Sequence, residues 1–373
     1  MKNTYIAGVA AVLVLAVAIG VGSSITNGKV ARESTGPIKI GAIMILSGPG
    51  ASYGEASRNG MALAIEDINN VGGVNGRLFE GIYENDEADP KKTVSAFKKL
   101  TTYHGVKFII GPNWSNTGLA VKDLAKETRT VMISPSLGIK EFNEDNEYLF
   151  NTWPHDDILS AELARIVYAN GHRRVAILGA EDTWALNQTQ AFKQTFEKIG
   201  GEVIFVYEPP SGTTDVRAEV AKLNKLNPDA VVMTSAGYGL LTVYSRQLEE
   251  MGVNVPLYPI TIPENEIAAC GAFCEGMIFP TFLTPTADFY AKYKAKYERE
   301  VELGADSAYD AVMMLAEAMK ATNSTDPEKV KVYLANFKTF DGASGHLVSD
   351  GKRAFTKDHV LKVVRNAVPV DLK

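Results

Sequence analysis

Lys107-Phe-Ile-Ile-Gly-Pro-Asn-Trp-Ser-Asn-Thr117 and, further on, Val131-Met-Ile-Ser-Pro-Ser-Leu-Gly138 are the two stretches whose reading decides the fold. Each opens with an apolar run long enough for a buried strand and too short for a helix. Each then breaks into Gly, Pro and Ser, residues that stop a strand. The intervening Gly118 to Thr128 reads as a helix. Strand, turn, helix and strand make the βαβ unit of a parallel sheet, so the fold class is α/β. Ligands of such sheets sit outside the carboxyl ends of the strands. Ser115, Ser134 and Ser136 therefore stand where a ligand would be met.

The same alternation extends in both directions. Upstream, Ile38 to Leu46 reads as a strand and Glu55 to Asn70 as an amphipathic helix, with Met61, Ile65 and Ile68 on one face. A strand over 78–84 and a helix from Asp89-Pro90 to Thr101 follow, the proline suiting a first helical turn. The pattern restarts at Asp157, with helices over 158–170, 188–199 and 215–226 and strands over 174–179, 202–207 and 229–234. Another helix runs to Met251, and a strand lies near 256–259. Residues 229–239 repeat the plan of 107–117, which gives two lobes of similar build. After Pro280 come helices over 286–301, 306–321 and 327–336 with no strands between them, then short strand-like pieces to Lys373. Those helices must pack on a lobe already formed. The chain then crosses between lobes more than once, an arrangement suited to a hinge.

A length of 373 residues allows two domains with ample core. Hydrophobic residues at 46% and charged residues at 22% describe a globular chain. The net charge of −6, without a block of Lys and Arg, argues against a nucleic-acid partner. Tyr5 to Ile25 carries no charge, with Lys2 before it and Lys29 and Arg32 after it. A cleaved secretory signal has such a basic start and an apolar stretch of ~7–15 residues. An uncleaved anchor needs ~17–25 apolar residues. A buried core helix is the third reading. The first two both export the rest of the chain, and 30–36 is then a polar spacer. No Cys lies near the run, so a lipid-modified cysteine there is excluded.

The two cysteines, Cys270 and Cys274, are either a small disulfide loop outside the cytoplasm or two free thiols. Zinc would need further ligands, and the spacing is not C-x-x-C. No H-E-x-x-H, Walker loop or G-x-S-x-G is present, and the five histidines are scattered. Gly48 to Gly54 follows a strand as a dinucleotide loop would, and Glu84, Asp86 and Glu87 follow the next strand. The spacing is G-x-G-x-x-x-G, however, and Pro49 lacks a backbone donor, so a plain strand–helix turn is the stronger reading. Neither a cofactor nor a metal is called for, and an enzyme is not expected. A binding role is better supported. Ser115 at a helix start, with its backbone N–H groups, suits a carboxylate. Ser136 and Gly138 offer the same at the next strand end. The plainer role for these serines is helix capping. Tyr53, Trp114, Trp184 and Tyr238 all fall at predicted carboxyl-terminal strand ends, and pocket walls favour aromatic side chains.

Several stretches together resemble the branched-chain amino-acid type of periplasmic binding protein, the type I solute receptors of ABC transporters. They are Ile38 to Gly54, Gly60 to Gly76, Asp86-Glu-Ala-Asp-Pro90, Ile110-Gly-Pro112, Ile133-Ser-Pro135 and Phe340-Asp-Gly-Ala-Ser-Gly345. The resemblance covers roughly 37 to 365 and implies two Rossmann-like lobes joined by three crossovers, closing on a small solute. It divides the chain into 37–155 with 282–335 as one lobe and 156–281 with 336–373 as the other, after a leader or anchor over 1–36. It implies ligand contacts at Ser115, Ser136 and Gly138, with Tyr53, Trp184 and Tyr238 at or near pocket aromatics and Asp156 at the first crossover. Where Gly138 stands, the family usually has Thr or Ser.

The main departure lies near Thr261, where amino-acid binders of this type place a Glu against the ligand's ammonium. Here the run is Ile-Thr-Ile-Pro-Glu-Asn, with Glu264 three residues on. A buried ammonium without a partner is costly, so the ligand's amine finds another partner or is absent, which leaves an amino acid or a related carboxylate or amide as the ligand. The expected partners are a small polar ligand and, by resemblance, an ABC permease. The expected location is periplasmic or at the cell surface, with a tether through 5–25 if that run is retained, and the expected state is a monomer. A membrane-tethered sensor of the same fold and a nucleotide-dependent enzyme are the rival readings.

Overall fold

Residues 38–151 lay down five short strands that pair in parallel. They are β1 (Ile38–Met44), β2 (Phe79–Asn85), β3 (Phe108–Ile110), β4 (Val131–Ser134) and β5 (Leu149–Asn151), in the order β2-β1-β3-β4-β5. The crossovers run through α1 (Ala51–Asn70), α2 (Pro90–Lys98) and α3 (Ser115–Thr128). Every residue of β3 and β4 is buried, as in a parallel sheet covered on both faces. In this computed structural model the described residues are 36–372 apart from 49, 211, 236–238, 263 and 284; the apolar run at 5–25 lies outside them. Among the described residues no helix is long and apolar enough to cross a membrane.

The second sheet repeats the plan. Its strands are β6 (Arg174–Leu178), β7 (Glu202–Tyr207), β8 (Ala230–Met233) and β9 (Leu257–Pro259), all parallel in the order β7-β6-β8-β9. Its helices are α4 (Asp157–Ala169), α5 (Thr183–Lys198), α6 (Arg217–Leu226), α7 (Leu240–Glu250) and α8 (Glu264–Cys270). In each sheet the strand order reverses at the first strand, between β1 and β3 and between β6 and β8. The crevice at such a reversal is where open α/β sheets take ligands.

The chain then returns to the first lobe. Between β10 (Ile278–Phe282) and the last strands lie α9 (Ala287–Tyr297), α10 (Ala305–Thr322) and α11 (Pro327–Ala335). Ala308, Val312, Leu315 and Met319 of α10 share one buried cluster with Met61, Ala64 and Ile68 of α1. Three strands, β11 (Thr339–Gly342), β12 (Gly345–Ser349) and β13 (Phe355–Thr356), form a small antiparallel sheet. Leu347 and Phe355 enter the first lobe's core, so 339–356 packs there and not with the second lobe, where the sequence reading put everything after 336. Strands this short show which face is apolar, not which core receives it. Phe337, just past α11, meets Phe340 and Phe355 edge-on and carries the hairpin to that core. Only β14 (His359–Arg365) and β15 (Val368–Asp371) reach the second lobe, where β14 pairs antiparallel with β10 and Val364 joins the core.

The chain thus passes between lobes three times, near 152–156, 283–286 and 356–358, and the passes touch. Trp153 meets Phe282 edge-to-face at 5.4 Å, and the Lys357 ammonium lies 5.2 Å from the Trp153 ring centroid. The same ammonium pairs with Asp306 at 3.3 Å, and both side chains are almost fully buried.

Three helices start three or more residues earlier than their sequence suggests, and the first of them, α1, begins at Ala51 and not at Glu55. α3 begins at Ser115 and not at Gly118, because extended Trp114 serves as its N-cap. α5 begins at Thr183 and not at Gln188, because Asp182 accepts hydrogen bonds from the N–H groups of Trp184 and Ala185. α8 has no counterpart in the sequence reading. At its end Cys270 and Cys274, both buried, are joined by a disulfide.

Candidate functional site

The first lobe contributes the carboxyl ends of β3 and β4. Ser115 is the first residue of α3, nearly buried, and no side chain caps that helix. Trp114 lies against Gly50, which has φ +88° and where a Cβ would sit 2.5 Å from the indole ring. Ser136 is tied to Asn113: its hydroxyl donates to the Asn113 carbonyl at 2.9 Å and accepts from Asn113 Nδ2 at 3.1 Å. Asn113, fully buried, also donates to Ser57 Oγ and accepts from the Ile45 N–H. Ser134 faces inward instead. Its hydroxyl donates to the Pro112 carbonyl at 2.7 Å and accepts from the Leu137 N–H at 3.1 Å, which locks the two strand ends together. Tyr53 sits in the first turn of α1. Burial pushes its hydroxyl up to about 12, and the carboxylates of Glu266 and Glu302 push in the same direction.

The second lobe contributes the first crossover and the start of α5. Asp156 and Trp184, 28 positions apart, meet here: Trp184 Nε1 donates to Asp156 Oδ2 at 2.7 Å. Trp153 Nε1 donates to the other oxygen at 3.0 Å. The Asp156 N–H donates to the Gly138 carbonyl of the first lobe at 2.9 Å. Burial lifts the Asp156 carboxyl to about 7; the two indole donors pull against that rise, and Asp157 adds to it. Burial also raises Asp182, with Glu208 adding to the rise and the backbone N–H donors of Ala185 and Trp184 opposing it. Ser235, just past β8, is buried, and among the described residues its hydroxyl has no hydrogen-bond partner.

Tyr53, Trp114, Ser115, Ser136 and Gly138 thus follow the carboxyl ends of β1, β3 and β4, and Asp156, with Trp184 on its carboxylate, meets the Gly138 segment. Thr261 lies half-buried in the loop between β9 and α8, and Tyr238 falls outside the described residues. Sequence reasoning missed Asn113, although it stands inside the decisive stretch, because nothing local marks it as the hub of four hydrogen bonds. It also missed Glu266, because α8 was not read as a helix. Glu266 Oε1 accepts from the Gly239 N–H at 3.1 Å, at the start of α7.

Residues 37–365 match the family described as periplasmic binding protein. The chain belongs to that family. A curated relative of this binding protein is the leucine-, isoleucine-, valine-, threonine- and alanine-binding protein of Pseudomonas aeruginosa, 29% identical over 84% of this chain and 86% of its own length. The solved LivJ substrate-binding protein of Streptococcus pneumoniae, a branched-chain amino acid transporter component in complex with isoleucine, is 25% identical, with a TM-score of 0.79 over 89% of this chain and 97% of that one. The solute binding protein of an ABC transporter from R. palustris, in complex with 4-hydroxybenzoate, has the same fold at 20% identity, with a TM-score of 0.81 over 90% of this chain and 96% of that one. These relatives are solute-binding proteins, not enzymes.

Proposed function

We propose that this chain is the extracytoplasmic receptor of an ABC transporter and takes a small amino acid into the cleft between its lobes. The observation that carries the reading is the pair of walls at the strand-order reversals. On one side is the uncapped start of α3 with Ser115, beside the Asn113–Ser136 pair. On the other are the acids and indole of the second lobe. A helix N-terminus without a capping side chain favours an anion by about 0.3–1 kcal/mol when exposed and more when buried. The ligand's carboxylate binds there. The amine, which lacks a Glu at Thr261, is met by Glu266, whose carboxylate acts on Tyr53 across the cleft. Binding closes the lobes about the three crossovers and presents both rims to a permease.

The test is a thermal-shift and calorimetric screen of the purified protein against the twenty amino acids, their amides and 4-hydroxybenzoate. A ligand that binds only the folded state raises the melting temperature. An aliphatic amino acid is expected to give the shift, and Ser115→Ala is expected to weaken its binding by roughly tenfold, the loss of one buried hydrogen bond. A shift with 4-hydroxybenzoate alone, or with none of these compounds, would overturn the amino-acid reading.

A further inference from the structure

Trp184 packs against the buried clusters of both lobes. On its own side it joins the cluster that includes Leu178, Ala185 and Met233. Across the cleft it packs on the cluster that includes Leu137, Ile139 and Phe142. One helical turn further along α5, Asn187 Nδ2 reaches both oxygens of first-lobe Glu141, at 3.2 and 3.3 Å. Residues three apart share a helix face, so α5 presents one seam to the first lobe. The seam is held from behind. Asp156 takes the Trp184 indole on one oxygen and the Trp153 indole on the other, and Trp153 contacts residues of the other two crossovers. Room for the Asp156 carboxylate exists only because residue 138 is glycine: a Cβ there would lie 1.6 Å from Asp156 Oδ2.

We propose that Trp184, positioned by Asp156, is a latch that holds the two lobes closed without solute, set into the space that Gly138 leaves. The proposal rests on the lobes being the moving parts of a solute receptor, and it deepens that reading: the latch gives the ligand-free protein a closed population, which solute then enlarges. Asp156 is a positioning residue, acting through the indole and not on the ligand.

The test uses ligand-free, full-length protein with spin labels at Glu127→Cys on α3 and Glu197→Cys on α5, two exposed positions on opposite lobes. Double electron–electron resonance reads the interlobe distance, which a purely structural role for these residues would not move. The labelled parent is expected to show a dominant short distance. Trp184→Ala and, at conserved volume, Asp156→Asn are expected to lower the closed-to-open ratio by roughly tenfold, the worth of a charge-assisted hydrogen bond. Circular dichroism confirms that each variant is folded, and Asp156→Asn keeps the test sound if Trp184→Ala is not. A parent that is already open, or variants that keep the parent's distance distribution, would overturn the latch. Because no ligand is added, neither outcome depends on the amino-acid reading.

Discussion

Replacing Gly138 by alanine isolates the steric logic at the centre of the site. Gly138 does not have a left-handed φ, so alanine is acceptable to the backbone and the effect must come from the added methyl. That methyl would lie 1.6 Å from Asp156 Oδ2 and 2.5 Å from its Cγ. Carbon and oxygen need about 3.5 Å, so the carboxylate must move by about 2 Å or the two segments must part. Either movement breaks the indole bonds at 2.7 and 3.0 Å. Crowding a packed core costs about 1–3 kcal/mol, and a lost hydrogen bond to a charged group about 1.5–3 kcal/mol. The stiffer unfolded chain returns only about 0.4–1 kcal/mol. The expected net loss is on the order of 3 kcal/mol, which lowers the melting temperature of a domain this size by roughly 5 °C. Urea unfolding of the parent, Gly138→Ala, Asp156→Ala and the double variant measures it. Removing the carboxylate relieves the clash, so the two changes should couple by more than about 1 kcal/mol. A Gly138→Ala protein as stable as its parent, or strict additivity with Asp156→Ala, would refute the steric argument.

Three further outcomes are expected. Asp156 is lifted from 3.8 to about 7, so between those values the folded protein holds a proton that the unfolded chain has released. Its effect on stability is therefore favourable at low pH and fades as pH rises to 7, by at most roughly 4 kcal/mol. His155, whose affinity for a proton is lowered mainly by burial, acts in the opposite direction on acidification, so the comparison to make is parent minus Asp156→Asn at pH 5 and pH 8; equal differences at the two values would count against the shift. Asp306→Asn strands the buried Lys357 ammonium at the third crossover and should cost about 3–5 kcal/mol, more than the double change with Lys357→Met, as chemical denaturation of both will show. Cys270→Ser with Cys274→Ser should cost about 2 kcal/mol by opening a five-residue loop, and an unchanged denaturation midpoint would speak against that pairing.

Much of this protein was determined locally. The apolar runs at 108–110 and 131–134 are buried on both faces, and Gly, Pro and Ser end them, so strand, turn and parallel pairing follow from side-chain chemistry alone. The placement of Ser115 at a helix start and of Trp184 beyond a strand end came from the same rule. Helix starts shifted by a few residues because capping geometry, at Trp114 and Asp182, is a matter of backbone angles and one hydrogen bond that composition does not reveal.

Tertiary structure decided the rest, because those outcomes depend on which distant surfaces fit. Residues 339–356 joined the first lobe through aromatic contacts around Phe337 that no window of sequence contains. Ser134 turned inward to bridge two loops while Ser136, two positions on, met Asn113. Gly138 stands where Thr or Ser is usual in the resembled family, and only the fold brings Asp156 into the space it leaves and sets Trp184 against that carboxylate. Periodicity fixes a residue's face on its own element. Which partner fills the gap between elements is set by packing and by the pairing of buried polar groups, and these exist only once the chain is closed on itself.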